Sequence, residues 1–319
     1  MLKICVLTIF ALTSAAANCA AAANEGASGA QFLRIGVGAK AAALGETGAA
    51  ISGVQGIFYN PAGLAGVTGG EIFASHARWI LDTNYSNLAF AARAGGGVYG
   101  LAVSYLSNPA TYKYDKFGTK LSETYSASDM AVTLGYAHKV AGNTDFGLNA
   151  KYISSKLDTE AATALAADLG IRCAAVPGKF EFGIVMQNAG GKLNYINEAD
   201  PLPLNLKLGG QYTVNLEKAR DTKKDVTIFL DVNSMKDSGP YANLGVDLLS
   251  VYDRNSYFSL RVGYRTNAGK SSGVSAGLSL DMKTYLVDYA YAPMGDLGDT
   301  HRVSLTFKFG ANAGGTEQD

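Results

Sequence analysis

From Glu71 onward the chain alternates apolar and polar residues one by one, the period-two mark of strands with two unlike faces. The closing segment is the clearest. In Arg302-Val303-Ser304-Leu305-Thr306-Phe307-Lys308-Phe309 one face is Val, Leu, Phe and Phe, and the other is Arg, Ser, Thr and Lys. Phe258, Leu260, Val262 and Tyr264 alternate with Ser259, Arg261 and Gly263. Leu206, Leu208, Gly210 and Tyr212 alternate with Asn205, Lys207, Gly209 and Gln211, and Ala167, Leu169 and Ile171 with Asp168, Gly170 and Arg172. The pattern predicts fourteen strands, at 71–79, 85–94, 98–106, 129–140, 144–156, 164–173, 180–187, 204–214, 226–233, 241–249, 257–264, 273–280, 285–291 and 300–309.

The polar faces decide what these strands build. In a soluble sandwich the polar face meets water and is rich in charge. Here it is mostly Gly, Ser, Ala, Asn or a lone charge, which suits the inside of a barrel whose apolar face meets lipid. The connections average about 10 residues at one rim and about 6 at the other, matching long extracellular loops and short periplasmic turns. The link Asn215 to Asp225 breaks that alternation. Tyr85, Tyr105, Tyr152, Tyr212, Tyr257, Tyr264, Tyr285, Tyr289 and Tyr291 fall near strand ends, where a membrane–water interface favours tyrosine. The expectation is all-β: a single transmembrane antiparallel β-barrel of about 14 strands. An even strand number places both termini on the periplasmic side.

Composition narrows the class further. The 319 residues are 48% apolar and 17% charged, and 27 basic residues balance 27 acidic ones. That excludes a nucleic-acid binder, which needs a basic excess, and a disordered chain, which needs low hydrophobicity and high net charge. No run of 18 apolar residues occurs, so no transmembrane helix is expected.

The start of the chain reads differently. Met1-Leu2-Lys3, the apolar run Ile4 to Leu12 and the small residues up to Ala23 form the three regions of a secretory signal peptide, with cleavage expected after Ala23. Cys5 and Cys19 fall inside it, leaving Cys173 alone; one cysteine makes no disulfide and no metal spacing. Between Gly26 and Gly70, 12 of 45 residues are Gly and 10 are Ala. Strand alternation is absent there. A helical piece is expected at Ala39 to Leu44, stopped by Gly45, and Asn60-Pro61 reads as an N-cap followed by a first helical residue. Small residues let backbone pack closely in a narrow lumen. The division is therefore 1–23 signal peptide, 24–70 Gly/Ala-rich plug or hatch inside the barrel, and 71–319 barrel. Gly36-Val37-Gly38-Ala39-Lys40-Ala41 matches a loose dinucleotide fingerprint, but no acid-bearing strand follows and no further βαβ unit appears, so no nucleotide or other cofactor is expected.

Particular motifs carry a resemblance. Gly29-Ala30-Gln31-Phe32-Leu33-Arg34-Ile35-Gly36-Val37-Gly38-Ala39-Lys40-Ala41 resembles the opening of the PorV/PorQ family, within the wider FadL-like group of fourteen-stranded outer-membrane barrels. Ile57-Phe58-Tyr59-Asn60-Pro61-Ala62-Gly63-Leu64 looks like that group's Asn-Pro-Ala hatch motif. Asp168-Leu169-Gly170, Gln187-Asn188-Ala189-Gly190, Pro201-Leu202-Pro203-Leu204 and Gly298 to Leu305 are similar to features further along PorV/PorQ chains. The resemblance implies a bacterial outer-membrane protein that passes hydrophobic small molecules, with Asn60, Pro61, Ala62 and Gly63 as hatch residues. For the PorV/PorQ branch it implies, alternatively, a component of type IX secretion that binds exported protein cargo. The sequence departs from the family at Gly45-Glu46-Thr47-Gly48, which replaces the usual run of small residues, and at Ser52-Gly53-Val54-Gln55, which lacks the usual aspartates.

Candidate chemistry is sparse. His76, His138 and His301 lie in separate expected strands, and no H-E-x-x-H, G-x-S-x-G or C-x-x-C occurs, so neither a metal site nor an enzyme is expected. Asp288 and His301 fall in neighbouring strands, but their parity puts them on opposite faces of the wall. Tyr112, Tyr114, Phe117 and Tyr125, in the long link 107–128, are the expected loop contacts for hydrophobic solute or for cargo. The link 188–203 is the other long one. Gly95, Gly96 and Gly97 before the third strand, with Gly100 inside it, are the expected site of a local lateral gap, because glycine in a strand marks bulges and close approaches.

Overall fold

The computed structural model describes residues 28–195, 198–217, 224–253, 256–267 and 272–310. The expected signal peptide lies outside the described residues. Eighteen strands follow in order: β1 Gly70–Arg78, β2 Asn84–Ala94, β3 Gly97–Ser107, β4 Thr111–Tyr114, β5 Lys120–Tyr125, β6 Ala127–Ala141, β7 Thr144–Leu157, β8 Glu160–Val176, β9 Phe180–Gly190, β10 Lys192–Asn194, β11 Ala199–Pro201, β12 Asn205–Glu217, β13 Lys224–Met235, β14 Ser238–Asp253, β15 Ser256–Arg265, β16 Val274–Met282, β17 Tyr285–Pro293 and β18 Asp299–Phe309. Fourteen of them form one closed antiparallel barrel, in the order β1-β18-β17-β16-β15-β14-β13-β12-β9-β8-β7-β6-β3-β2. The last strand closes on the first from Gly70 opposite Phe309 to Arg78 opposite His301. Each of the fourteen expected strands is present in its expected place. The remaining four make two small hairpins, β4–β5 and β10–β11, inside the two long links.

Side-chain parity follows the sequence pattern. Along β2, Tyr85, Asn87, Ala89 and Ala91 are buried while Ser86, Leu88 and Phe90 are exposed. Along β3, Gly100, Ala102 and Ser104 are buried and Tyr99, Leu101 and Tyr105 exposed. The outer surface is thus a band of Leu, Val, Ile, Phe and Tyr, such as Leu134, Ile171, Val232, Leu260, Val287 and Leu305. Water gives such a surface no favourable partner, whereas hydrocarbon does.

The two rims differ less than the sequence pattern predicts. One rim, here the turn rim, carries Gly70, Phe309 and the tight β2–β3 turn at Gly95-Gly96. The opposite loop rim carries the links 79–83, 108–126 and 191–204, but also two tight turns, Asp158-Thr159 and Lys236-Asp237. Those connections were expected to be longer; β7, β8, β13 and β14 each extend further than the alternation marks them.

Residues 28–67 thread through the cylinder. Their amides and side chains bond inward-facing groups around its circumference: Ala39 N donates to Ser304 Oγ, Gly45 N to Ser275 Oγ, Gly48 N to Asp231 Oδ2 and Asn60 Nδ2 to the Ile171 carbonyl. The helical piece runs Ala39–Ala43, and Gly45, at φ +69, turns the chain out of it. The apolar core accordingly lies in the lumen, where Leu44, Ile57, Leu64 and Phe73 are almost fully buried. The expectation of two periplasmic termini needs correction. The barrel's own ends share the turn rim, but the threaded segment begins at the other one: Ser28 Oγ donates to Asp237 Oδ2 at 2.6 Å and Gly29 N to the Pro201 carbonyl at 2.9 Å. Strand parity constrains Gly70 and Phe309 and says nothing of a segment that enters the lumen from above.

Candidate functional site

The site is built around Asn60-Pro61-Ala62-Gly63. Asn60 is fully buried with an extended backbone, and its Oδ1 accepts from Ala62 N at 3.1 Å, capping the helix that starts at Pro61. The cap forms as the sequence predicts, on a 3-10 helix, Pro61–Gly66. The Asn60 amide also ties the segment to itself and to the wall, donating to the Ala49 carbonyl at 2.6 Å and the Ile171 carbonyl at 3.1 Å. Glycines make the approach possible. A Cβ at Gly170 or Gly183 would collide with the Asn60 side chain, and one at Gly147 with the Pro61–Ala62 peptide. The wall holds the preceding residues too: Asn149 Nδ2 donates to the Ile57 carbonyl at 2.8 Å, and Gln187 Nε2 to the carbonyls of Phe58 and Tyr59 at 3.1 and 3.0 Å.

Several charges inside the lumen are paired, which offsets the cost of burying them. Arg302 bonds the Gly36 carbonyl at 2.7 Å and Glu46 at 2.8 Å. Arg172 bonds Asp145, Glu181 and the Ala50 carbonyl. Arg261 bridges Asp247 and Asp288, and Lys151 pairs with Asp168 at 2.8 Å. Asp231 receives both Gly48 N and Ala49 N, at 2.7 and 3.0 Å. At the turn 45–55, Glu46 and the barrel carboxylate Asp231 take up polar contacts.

Several cavities flank the segment, and two of them lie toward opposite rims. The loop-side one is a cavity of about 80 Å³, between Leu33, Ile35, Val37 and Phe58 on one side and Gln187, Asn205, Lys207, Asn233 and Asn243 on the other. The turn-side one is a cavity of about 200 Å³ beside Lys40, Ser52, Glu71 and Lys308. No residue lines both. The polar wall of the upper cavity was not singled out from sequence. Its residues sit at inward parity, but alternation marks a face without saying which strands' rows meet at one depth.

The structure distributes the other expected site residues. Tyr112, Tyr114, Phe117 and Tyr125 lie on or beside the β4–β5 hairpin at the loop rim, all exposed, Phe117 most of all at 81%. They do not line the loop-side cavity. Lys120 Nζ stands 3.4 Å over the Tyr112 ring. The lateral gap is absent. β3 pairs with β2 from Asn84 opposite Ser107 to Ala94 opposite Gly97, and with β6 from Val98 opposite Ala137 to Ser107 opposite Ser128, without a register shift. Gly95, at φ +58, and Gly96 form the tight turn, and Gly97 begins the strand against the Tyr136 ring. Gly100 serves close packing: a Cβ there would meet Ile57 Cδ1 at 3.0 Å and Leu64 Cδ1 at 3.2 Å. Asp288 and His301 occupy opposite faces, Asp288 fully buried on Arg261 and His301 outside on Tyr289 Oη at 2.7 Å.

The fold has solved counterparts. The toluene transporter TbuX of Ralstonia pickettii matches 86% of this chain over 98% of its own, with a TM-score of 0.57 and 14% identity. The toluene transporter TodX of Pseudomonas putida matches 85% over 96%, with a TM-score of 0.56 and 12% identity. The monoaromatic hydrocarbon channel CymD matches 86% over 98%, with a TM-score of 0.56 and 14% identity. At these identities the likeness is one of fold: this chain has the closed fourteen-strand architecture of bacterial outer-membrane β-barrel channels. No protein-family model matches the sequence, and no curated protein is similar to it. The solved counterparts share the barrel fold that the resemblance implies, and the comparisons do not show its PorV/PorQ part.

Proposed function

We propose that this barrel passes hydrophobic small molecules across the bacterial outer membrane, with residues 24–70 as its hatch and Asn60, Pro61, Ala62 and Gly63 as the hatch's anchoring turn. The observation that carries the reading is the pair of cavities, one facing each rim, separated by the threaded segment. A solute held above the hatch reaches the lower cavity only when the segment moves. The apolar face of that segment (Leu33, Ile35, Val37 and Phe58) offers an apolar solute its contact surface. Tyr112, Tyr114, Phe117 and Tyr125 supply an apolar collecting surface at the loop rim. The hydrocarbon-transporting neighbours support the same class of solute. Nothing in the comparisons supports the alternative of a secretion component that grips exported protein. Lipid is the partner of the outer band, and no catalytic role is part of the reading.

The experiment is uptake into liposomes that contain the purified barrel. Toluene-sized apolar solutes are expected to equilibrate faster than through protein-free liposomes. Equal rates for the two preparations would sink the reading.

A further inference from the structure

We propose that the loop-side cavity is a binding site for a neutral solute with an apolar body and hydroxyl groups, held by Asn205, Asn233 and Asn243. Register places these side chains together. Lys207 lies opposite Asn233 across β12–β13 and Asn233 opposite Tyr241 across β13–β14. One row deeper on β13, Asp231 lies opposite Asn243.

Hydrogen bonding fixes which way each amide points. Backbone carbonyls only accept, so Gln187, whose Nε2 donates to the Phe58 and Tyr59 carbonyls, must turn its Oε1 toward Asn205. Asn205 Nδ2 donates to that oxygen at 3.0 Å and to Asn233 Oδ1 at 3.2 Å. Asn243 Nδ2 donates to the Glu46 carbonyl at 3.0 Å. The chain of amides then stops short. Asn205 Oδ1, Asn233 Nδ2 and Asn243 Oδ1 have no partner among the described residues, although the three side chains are only 4%, 1% and 1% exposed. All three residues line the cavity. Nine other buried polar atoms among the described residues also lack a partner, but the gathering of two free acceptors and one free donor on one cavity wall points to a ligand.

Charge and shape select its chemistry. The cations near the wall already have carboxylates: Lys151 has Asp168 at 2.8 Å, Lys207 has Asp231 at 3.8 Å and Arg34 has Asp237 at 3.4 Å. Arg265, half-exposed, also lines the cavity. What remains free in the buried wall is neutral. A hydroxyl both donates and accepts, so it serves both kinds of free atom. A carboxylate only accepts and meets two unpaired oxygens. A bare hydrocarbon leaves all three atoms unpaired, the condition under which hydrogen-bonding sites reject ligands. The plug's apolar face, opposite the amides, takes the ligand's body. The assignment rests on the small-molecule reading above for how a solute arrives, but not for how it binds.

The test is equilibrium binding by calorimetry to the purified full chain in detergent. The probes are 1-phenylethane-1,2-diol, ethylbenzene and mandelate, which share a body and differ in the head. The diol is expected to bind at least about tenfold tighter than ethylbenzene, the order of one or two hydrogen bonds, and tighter than mandelate. Asn243→Ala is expected to weaken the diol by about tenfold and leave ethylbenzene unchanged. Asn205→Ala removes the second free acceptor and is expected to weaken the diol as well, and an unaltered heat-modifiable electrophoretic mobility of each variant guards against one that fails to fold. Equal affinity for diol and ethylbenzene, tightest binding of mandelate, or variants that hold the diol as the native chain does would each overturn the proposal. Diol binding without any liposome uptake would sink the transport reading and leave this site standing. Uptake of toluene without diol preference would do the reverse.

Discussion

Arg302 on the last barrel strand holds Glu46 of the threaded segment at 2.8 Å, some 256 residues apart in sequence. The same guanidinium bonds the Gly36 carbonyl at 2.7 Å, so one wall residue pins two points of the segment. Both partners are largely buried. Arg302→Ala leaves Glu46 unpaired in the lumen, a change that costs on the order of 3–5 kcal/mol for a buried pair. The barrel's hydrogen-bond ladder does not depend on that contact. The expected outcome is a barrel with unaltered heat-modifiable electrophoretic mobility and a raised single-channel conductance in planar bilayers. Native conductance in the variant would show that the pair does not hold the segment.

Asn60→Ala removes a cap worth about 0.5–2 kcal/mol and strands the Ala49 and Ile171 carbonyls that its amide serves. Leak of small polar solutes from liposomes is expected to rise. An unchanged leak rate would mean that Pro61 and the wall glycines seat the turn without it.

Gly100→Leu separates two ideas about the third strand. A lateral exit at that strand would be blocked by the larger side chain. The continuous β2–β3–β6 ladder and the closeness of Ile57 and Leu64 lead to the opposite expectation: the leucine displaces the segment, and solute leak rises. Overpacking of this kind costs about 1–3 kcal/mol. Reduced flux of apolar solute with native leak would overturn it.

Asp115 tests the loop rim by pH. Its carboxylate accepts from Thr119 N and Phe117 N, both at 2.8 Å, and these backbone bonds hold its pKa below the ordinary 3.8. A depressed folded pKa means a contribution present above the ordinary carboxylate value and lost as pH falls through the lower folded one. The turn carrying Phe117 is therefore expected to stay ordered at the ordinary pKa and to loosen only in more acid solution. Amide shifts of Phe117 and Thr119, followed by NMR on acidification, check the direction. Movement centred above 3.8 would contradict it.

The alternation of Val303, Leu305 and Phe307 with Ser304, Thr306 and Lys308 was enough to establish a strand, its two faces and, repeated fourteen times, a barrel. Those properties are local, because pleat geometry sends neighbouring side chains to opposite sides whatever the partner. The cap at Asn60 was legible for the same reason, since a cap acts within three residues. Where the threaded segment begins was decided only by contacts such as Ser28 with Asp237, which no periodicity encodes. The role of Gly100 was likewise open until Ile57 and Leu64 were seen against it; a glycine permits a bulge or a close approach equally, and the neighbour decides. The amide wall of Asn205, Asn233 and Asn243 comes from three strands whose register and depth are properties of the closed barrel. A sequence marks each of these residues as inward, and only the assembled cylinder places them beside one cavity.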